Sequence, residues 1–367
     1  MRVRVFFSLL LCFFSLVSLR VGAEESQVMD KLCEAAEQVE GAEGFSGDVG
    51  ETGEILTSML SPSEVMKRIF GVSENILPSA LSLLAVLLGL IAISAVCNAL
   101  GSSMSGVSEG FGFLSAAAVT TLIVGTQMEL IFDVERFFER LGALMTSMIP
   151  ITGVVWAMGG NVSTAAVGTV TLGVMLGFVE RFCALTVVPV SCVCIVAAIS
   201  AGLSGGGVLE GFSSGVKKIY GFFIGLVMTV FVFCLGAQTS IATSADTLTA
   251  RGAKVLTGTL IPGVGGAIGD TLRAVAGSAG YIKSVVGIGG IFLVLTLTLP
   301  VITALLLVRG VFLVAATAAD MLDCKREQKL LSEMGNVYGM LVGAVSICSV
   351  AFVVALALFI KCSVAVG

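Results

Sequence analysis

Residues 79–100 read SALSLLAVLLGLIAISAVCNAL, a stretch without a single charged side chain. About 20 apolar residues in a helix cross the hydrocarbon core of a bilayer, and backbone groups in lipid must bond within their own helix. Six further stretches are similarly apolar, namely 111–132, 162–179, 182–203, 219–242, 285–308 and 338–360, and among these only 111–132 contains a charged residue, Glu129 near its end. The period-two alternation of a barrel is not visible. The sequence therefore predicts an all-α polytopic integral membrane protein with about 7–8 transmembrane helices.

The composition of the 367 residues agrees with a membrane protein, because 56% are hydrophobic and only 12% are charged. Soluble domains have about 25% charged residues. Residues 24–77 hold twelve acidic and three basic side chains, whereas residues 78–367 hold thirteen acidic and fourteen basic ones. The chain is thus divided into a short acidic aqueous segment and a nearly neutral membrane body. No basic patch interleaved with aromatics is visible, so we expect the lipid bilayer, and no nucleic acid, as a partner.

The N-terminus has the pattern of a secretory signal peptide over residues 1–23. Two arginines precede an apolar run over residues 5–19, and small residues end the segment at Ala23. The alternative is an uncleaved anchor, and either one places the acidic residues 24–77 outside the cytoplasm. Within them, apolar residues at helical spacing between 29 and 39 predict one short helix. A capping box at residues 61–64 predicts the start of another, ending at Phe70. This extracytoplasmic segment is either a solvated linker or a docking arm for partners.

Two segments do not fit simple membrane spans. Residues 133–158 begin with a charged amphipathic piece and are interrupted at Pro150, and residues 246–283 are Gly-rich and polar. Both contain an Ile-Pro-x-x-Gly signature, starting at Ile149 and at Ile261. Proline removes a helical hydrogen bond, and broken helices at membrane depth occur only where protein or a cavity surrounds them. We therefore expect two Pro/Gly-broken amphipathic or re-entrant elements.

These elements suggest an internal repeat within the membrane domain, residues 78–367. Residues 79–179 and 182–308 show the same order of spans around an Ile-Pro element, and residues 338–360 form the last helix. Inverted repeats with paired broken segments are the architecture of many secondary transporters. Coincidence among Gly-rich helices is the alternative.

The residue types exclude most catalytic chemistry. The chain has no His, so it lacks the usual nucleophile–base pairs and an ordinary zinc site. It also lacks the Gly-x-x-x-x-Gly-Lys motif of nucleotide-binding loops. We expect no enzymatic activity, no metal and no cofactor. Most of the ten Cys lie in or beside apolar runs, where Cys is usually a small hydrophobe, and only Cys33 is expected to be clearly in water.

Ionisable residues near the spans are the remaining functional candidates, because charges are costly in lipid. Glu180-Arg181 is read as a tight turn between two helices, and Asp320 and Asp323 as part of a solvated loop. No chain of buried carboxylates is visible, which weakens a proton-coupled transporter. Orientation is contradictory. Lys217-Lys218 and the basic residues at 325–329 favour the cytoplasm, yet the basic cluster at 251–283, one span away from Lys217, favours the same side.

One longer motif resembles a known family. Residues 246–270 read DTLTARGAKVLTGTLIPGVGGAIGD, and the shorter Met148-Ile149-Pro150 precedes them. This run is similar to the signature of the stage III sporulation protein AE family, and the signal sequence, aqueous N-terminal segment and Gly-rich polytopic body match that family's organisation. The resemblance singles out Asp246, Arg251, Lys254, Thr257, Gly258, Ile261, Pro262, Gly265 and Asp270, together with Ile149 and Pro150.

The resemblance implies a non-enzymatic subunit of the channel or secretion-like complex that links mother cell and forespore after engulfment. It places the protein, as a multi-pass protein, in the mother-cell membrane around the forespore. The implied partners are the other proteins of the stage III sporulation A operon, including a secretion-type ATPase, and stage II sporulation protein Q. Asp246 paired with Arg251 or Lys254 is expected to hold the amphipathic element in place, either for packing or to line a pore or contact a partner. A stand-alone secondary transporter is the alternative.

Overall fold

A computed structural model of the chain describes residues 30–37, 62–101, 105–158, 162–204, 208–260 and 265–361, and between 238 and 281 it describes the backbone alone. The described residues form seven helices and no strand. They are α1 (30–37), α2 (Pro62–Gly101), α3 (Ser105–Met158), α4 (Val162–Ser204), α5 (Val208–Leu260), α6 (Gly265–Met321) and α7 (Lys325–Lys361). Each of α2–α7 contains a stretch long and apolar enough to cross a membrane. The predicted all-α polytopic class is confirmed.

The six long helices are more continuous than the predicted spans. The two stretches 162–179 and 182–203 form the single helix α4, so the turn predicted at Glu180-Arg181 is wrong. The helix can continue through these residues because its backbone hydrogen bonds remain satisfied and the charged side chains project outward from the helix axis. Helix α3 likewise continues through Pro150, and the interruption predicted at that residue is absent. The second Ile-Pro pair lies outside the described residues, between the end of α5 and the start of α6.

The ends of α2 and α7 also differ from the predicted ones. Helix α2 begins at Pro62 with Glu64 in its first turn, as the capping box predicts. It does not end at Phe70, however, but runs on through Pro78 into the first span. Helix α7 begins at Lys325, well before the predicted residue 338.

Helix α7 lies inside an arc made by the other long helices. Neighbouring pairs along the arc are α5–α4, α4–α3, α3–α2 and α2–α6. Helix α3 also contacts α6, and α7 packs against α3, α4, α5 and α6. Tyr338, Leu341 and Val345 on α7 are fully buried, and the Tyr338 ring lies 5.4 Å from the ring of Phe312 on α6. Within the described residues, α5 and α6 are not a packed pair. The arc is therefore open between α5 and α6, where one face of α7 is uncovered.

We call one end of this bundle the lysine end. It holds the last turns of α2, α4 and α6 and the first turns of α3, α5 and α7, together with Lys217-Lys218 and the basic residues at 325–329. The turn from α6 to α7 is tight, since the Cys324 amide donates to the Ala319 carbonyl at 2.8 Å and Asp323 has φ 53°. Aspartate tolerates this left-handed conformation better than most residues. Asp323 is exposed, as predicted, whereas Asp320 belongs to the last turn of α6.

The exposed surface of α3 shows where lipid ends. From Phe113 to Phe132 its exposed large side chains are apolar apart from Glu129, near the end of the stretch, and those of Arg136 and Arg140 then follow. The apolar part has about 20 residues, or roughly 30 Å, which is one hydrocarbon core. On this face of α3 the apolar surface lies in the half of the bundle nearer the lysine end. Helix α5 has 53 residues and extends well beyond this layer at the opposite end.

Helix α1 confirms the predicted short helix in the acidic segment. Leu32, Ala35 and Ala36 on this helix are buried as part of the main hydrophobic core. Cys33 is half-buried rather than clearly in water. Burial and the nearby Asp30 carboxylate raise the pKa of its thiol. At least this part of residues 24–77 is therefore attached to the membrane domain.

Candidate functional site

The predicted motif residues are divided among three places in the structure. Asp246, Arg251, Lys254, Thr257 and Gly258 lie in α5, and Gly265 and Asp270 lie in α6, all in the part described by its backbone alone. Ile261 and Pro262 lie outside the described residues. Their proposed pairing and bend therefore remain predictions. Ile149 is half-buried and lies within contact distance of α4 at Gly173, and Pro150 is exposed.

A polar cluster that the sequence did not reveal lies at the lysine end, around two glutamates of α7. Glu327 is 1% exposed and Glu333 is 7% exposed. A buried charge is costly unless hydrogen bonds or an opposite charge compensate it. The partners of these two carboxylates come from three other helices, so the cluster ties distant parts of the sequence together.

Glu327 accepts hydrogen bonds from two serine hydroxyls. Ser94 of α2 donates to its Oε1 at 2.6 Å, and Ser115 of α3 donates to the same oxygen at 2.5 Å. No ion pair to Glu327 is present among the described residues. In the described structure this carboxyl is thus held by neutral hydroxyls alone.

Glu333 has a charged partner. Lys217 of α5 lies 2.6 Å from its Oε2, and the side chains of the pair are only 11% and 9% exposed. Ser213, also on α5, donates to the same oxygen at 3.0 Å, and Asn336 donates to Oε1 at 3.2 Å. The pair fixes α5 against α7. It also lets a lysine with its charge remain beneath the membrane surface.

A thiol completes the cluster beside Glu327. Cys324 is buried in the turn between α6 and α7, and the Asn98 side chain of α2 donates to its sulfur at 3.9 Å. Burial raises the pKa of this thiol, so it stays protonated at neutral pH. Cys324 is therefore poorly suited to act as a nucleophile. In the part of the chain that the structure describes, no group of three His, Cys, Asp or Glu side chains is placed to bind a metal.

Two cavities open beside the cluster on the uncovered face of α7. One, of about 390 Å³, lies between α5 and α7 and is lined by Lys217, Tyr220 and Glu333. The other, of about 250 Å³, lies between α6 and α7 and is lined by Arg309, Asp320 and Ser332. Asn336 lines both. The two cavities therefore lie side by side on this face of α7, on either side of Asn336.

A second polar region surrounds the middle of the bundle, where the lipid-facing part of α3 ends. Asp133 pairs with Arg136 at 2.8 Å on its surface. Glu180 of α4 packs directly on Gly142 of α3, where any added Cβ would overlap it. Because Gly142 has no side chain, α3 and α4 can approach closely here although both helices carry charged residues in this region. This arrangement explains why Glu180-Arg181 fits inside a continuous α4.

The glutamates of α7 were missed because the charged stretch 325–333 lies before the predicted last helix, 338–360. Its helical signal is Leu330, Leu331 and Met334, which are all buried. These positions share a face with Glu327, so helical periodicity extended to Lys325 places that carboxylate in the core. Glu327 and Glu333 were therefore not identified as buried carboxylates from the sequence.

Comparisons with known proteins are consistent with the motif. A family model described as stage III sporulation protein AE matches residues 52–363. The match includes all six long helices and the run at 246–270. No curated protein and no solved structure matches the chain.

Proposed function

The chain belongs to the stage III sporulation protein AE family, and from this premise we propose that it is a non-enzymatic membrane subunit of a channel or secretion-like complex. As a multi-pass stage III sporulation protein it would lie in the mother-cell membrane around the forespore and support forespore development after engulfment. The family match over residues 52–363 carries this proposal.

The bundle supports one orientation, with the lysine end in the mother-cell cytoplasm. Five basic residues lie there, at 217, 218, 325, 326 and 329, as the positive-inside rule requires. Helix α2, which starts at Pro62 within the acidic segment 24–77, begins at the opposite end, as a signal peptide requires. The basic cluster at 251–283 then lies outside, beyond the lipid layer, where the rule does not apply to it strongly. This arrangement removes the conflict in the sequence without a re-entrant segment.

The proposed partners follow from this orientation. A secretion-type ATPase of the stage III sporulation A operon would act from the cytoplasmic, lysine end. The other proteins of that operon and stage II sporulation protein Q would be reached from the opposite end, where the end of α5 and the start of α6 carry the motif residues 246–260 and 265–270. The polar groups of that motif are then available to proteins rather than to lipid.

A stand-alone secondary transporter is the second candidate, and Glu327 is the observation in its favour. A buried carboxyl without a cationic partner in the described structure is what a proton-coupled carrier uses. Two features oppose it. Glu327 lies in the first turn of α7, near the membrane surface rather than at the midplane, where carriers bind their ions. Glu333, the other buried carboxylate, is already neutralised by Lys217.

The function is tested in the endospore-forming host. Replacing Asp246 and Arg251 together, as D246A/R251A, is expected to block spore formation after engulfment while vegetative growth stays normal. The tagged chain should co-purify with the secretion-type ATPase and with stage II sporulation protein Q. Normal yields of heat-resistant spores from a strain without the whole gene would refute the proposal. Normal yields from the double variant alone would reject only the role of that pair.

E327Q separates the two candidates. A carrier that moves protons through Glu327 loses transport with this variant, because an amide does not titrate. A channel subunit keeps spore formation, because the amide still accepts hydrogen bonds from Ser94 and Ser115. A sporulation defect of E327Q in a chain that still assembles with its partners would favour the carrier.

A further inference from the structure

The cavity between α5 and α7 has one polar end and one apolar end. Ser214 and Lys218 line the polar end together with the ion pair of Lys217 and Glu333. The residues that line the apolar end are Ile224, Met340, Ala344 and Ile347. A molecule that fits this cavity therefore has a polar head and an apolar tail.

The two ends of the cavity lie at different depths. After Lys218, α5 carries no charged residue as far as residue 242, and after Glu333, α7 carries none as far as residue 360. The two uncharged stretches begin at one level, because Lys217 Nζ lies 2.6 Å from Glu333 Oε2. Both overlap candidate membrane spans, and about 20 such residues in a helix cross a hydrocarbon core. The polar end of the cavity thus lies where the uncharged stretches begin, and the apolar end lies along them.

The length of the cavity matches one leaflet of a bilayer. At 1.5 Å per residue, Lys217 and Ile224 are about 10 Å apart along α5, and Glu333 and Ile347 are about 21 Å apart along α7. Half of a hydrocarbon core measures about 15 Å. A lipid whose head lies at the polar end would therefore reach the apolar end with its acyl chain.

Two glycines leave space for such a chain. Gly221 on α5 and Gly343 on α7 line the cavity, and a Cβ added to either would meet nothing within 4 Å. The cavity volume of about 390 Å³ is a third of the roughly 1,200 Å³ that 15 Å of an α-helix about 10 Å across occupies. A hydrocarbon chain fits this space better than a helix of a partner protein does.

The charges at the polar end favour an anionic head. Among the lining residues, Lys217 and Lys218 contribute two positive charges and Glu333 one negative charge. The Lys218 side chain is exposed, and the nearby Ser214 hydroxyl is a hydrogen-bond donor. A lysine ammonium binds phosphate as a point charge, and basic residues near the membrane surface attract anionic lipids.

We propose that this cavity binds one anionic phospholipid of the leaflet at the lysine end. Its phosphate lies beside Lys218 and Ser214, and one acyl chain lies over Gly221 and Gly343. The lipid covers the face of α7 that the described helices leave open between α5 and α6. The site does not depend on the proposed function, since membrane lipid alone occupies it.

Lipid retention tests the contact with the head. The full-length chain is reconstituted with equal amounts of phosphatidylglycerol and phosphatidylcholine that have the same acyl chains, and is then extracted in mild detergent. Mass spectrometry counts the lipid that remains bound, which should be mainly phosphatidylglycerol. K218Q should reduce this preference about fivefold, the factor expected for one lysine near an anionic head. K325Q is the matched control, because Lys325 is an exposed lysine of the same end that is not among the lining residues.

Filling the apolar end tests the contact with the chain. The G221L/G343L variant places two side chains in the cavity, where the backbone leaves room for them. It should retain about tenfold less phosphatidylglycerol, since losing contact with as few as two methylene groups costs that factor. G89L, whose Cβ would also meet nothing within 4 Å, lies on α2 and should retain as much lipid as the unmodified chain. The K218Q result holds independently of how well the double variant folds.

Inorganic phosphate separates a phospholipid site from a simple anion site. Thermal unfolding in detergent is measured with added phosphatidylglycerol, phosphatidylcholine or inorganic phosphate, and phosphatidylglycerol should raise the melting temperature most. Equal stabilisation by phosphate would show an anion site without chain contact and would overturn the proposal. Equal retention of the two lipids by the unmodified chain, or full retention by a folded G221L/G343L variant, would overturn it as well.

Discussion

Removing one member of the Lys217–Glu333 ion pair should destabilise the protein, and the loss of stability should differ between the two members. The K217M variant leaves the Glu333 carboxylate 9% exposed, with only Ser213 and Asn336 to compensate its charge. Breaking a buried pair in this way costs about 3–5 kcal/mol. The E333Q variant should cost less, about 1–2 kcal/mol, because the long Lys217 side chain reaches water at the nearby membrane surface and the amide keeps the bond from Ser213.

The combined variant K217M/E333Q decides whether this reasoning holds. With no charge left to bury, it should be less destabilised than K217M alone, which corresponds to a coupling energy of about 2 kcal/mol. The free energy of unfolding is measured in mixed micelles, with reaction of the buried Cys183, Cys194 and Cys348 thiols as the signal. K218M is the matched control, since Lys218 is the next residue and is exposed. Strictly additive single effects, or a K217M cost no larger than that of K218M, would refute the proposed burial of the pair.

Three further predictions concern the same end of the bundle. Gly202→Ala should destabilise the protein by about 1–3 kcal/mol, because the new Cβ would lie 2.9 Å from the Cβ of Leu330 on α7, and that atom cannot move unless the α7 backbone moves. The control Gly89→Ala, whose Cβ would meet nothing within 4 Å, should be neutral or slightly stabilising. Equal melting temperatures of the two variants would contradict the close α4–α7 contact. The S94A/S115A variant should be less stable than E327Q by about 1–2 kcal/mol. It leaves the Glu327 carboxyl buried without its hydroxyl donors, whereas the glutamine of E327Q still accepts hydrogen bonds from both serines. A higher melting temperature for S94A/S115A than for E327Q would exclude the observed bonds. In a chain that retains Cys324 as its single cysteine, maleimide should label this thiol at pH 8 more slowly than it labels a cysteine-containing peptide, and the rate should increase on unfolding. The reason is that burial raises the pKa of the Cys324 thiol and so lowers its thiolate fraction at this pH. Labelling as fast as that of the peptide would disprove this burial.

The sequence was sufficient for the fold class because lipid imposes one simple rule on the backbone. Long uncharged runs such as 79–100 have to be helices, and all of the described runs are. Helix continuity was harder to predict. A charged pair such as Glu180-Arg181 indicates a turn when it is considered alone, and only the packing of Glu180 on Gly142 of another helix shows why none forms.

The polar cluster could not be predicted for a related reason. Glu327 is 233 residues from Ser94, and Glu333 is 116 residues from Lys217. Each partner alone is an ordinary polar residue near the end of a span, and the charged stretch 325–333 is typical of a solvated loop. The burial of these carboxylates follows from the position of α7 inside the arc, a tertiary feature without a local sequence signal. The family motif at 246–270 was recognisable, by contrast, because it is a continuous run.

The central place of α7 has a consequence for how the protein is made. The ribosome delivers α7 after the other five long helices, although α7 packs on four of them and holds both buried glutamates. Until α7 leaves the translocon, the two serines and the lysine that later bond to those glutamates have no α7 packed against them. During this interval the helices inserted before α7 are loosely packed and accessible to chaperones and membrane proteases. Quality control of this protein would therefore act mainly on chains whose last hairpin, α6–α7, enters late or incorrectly.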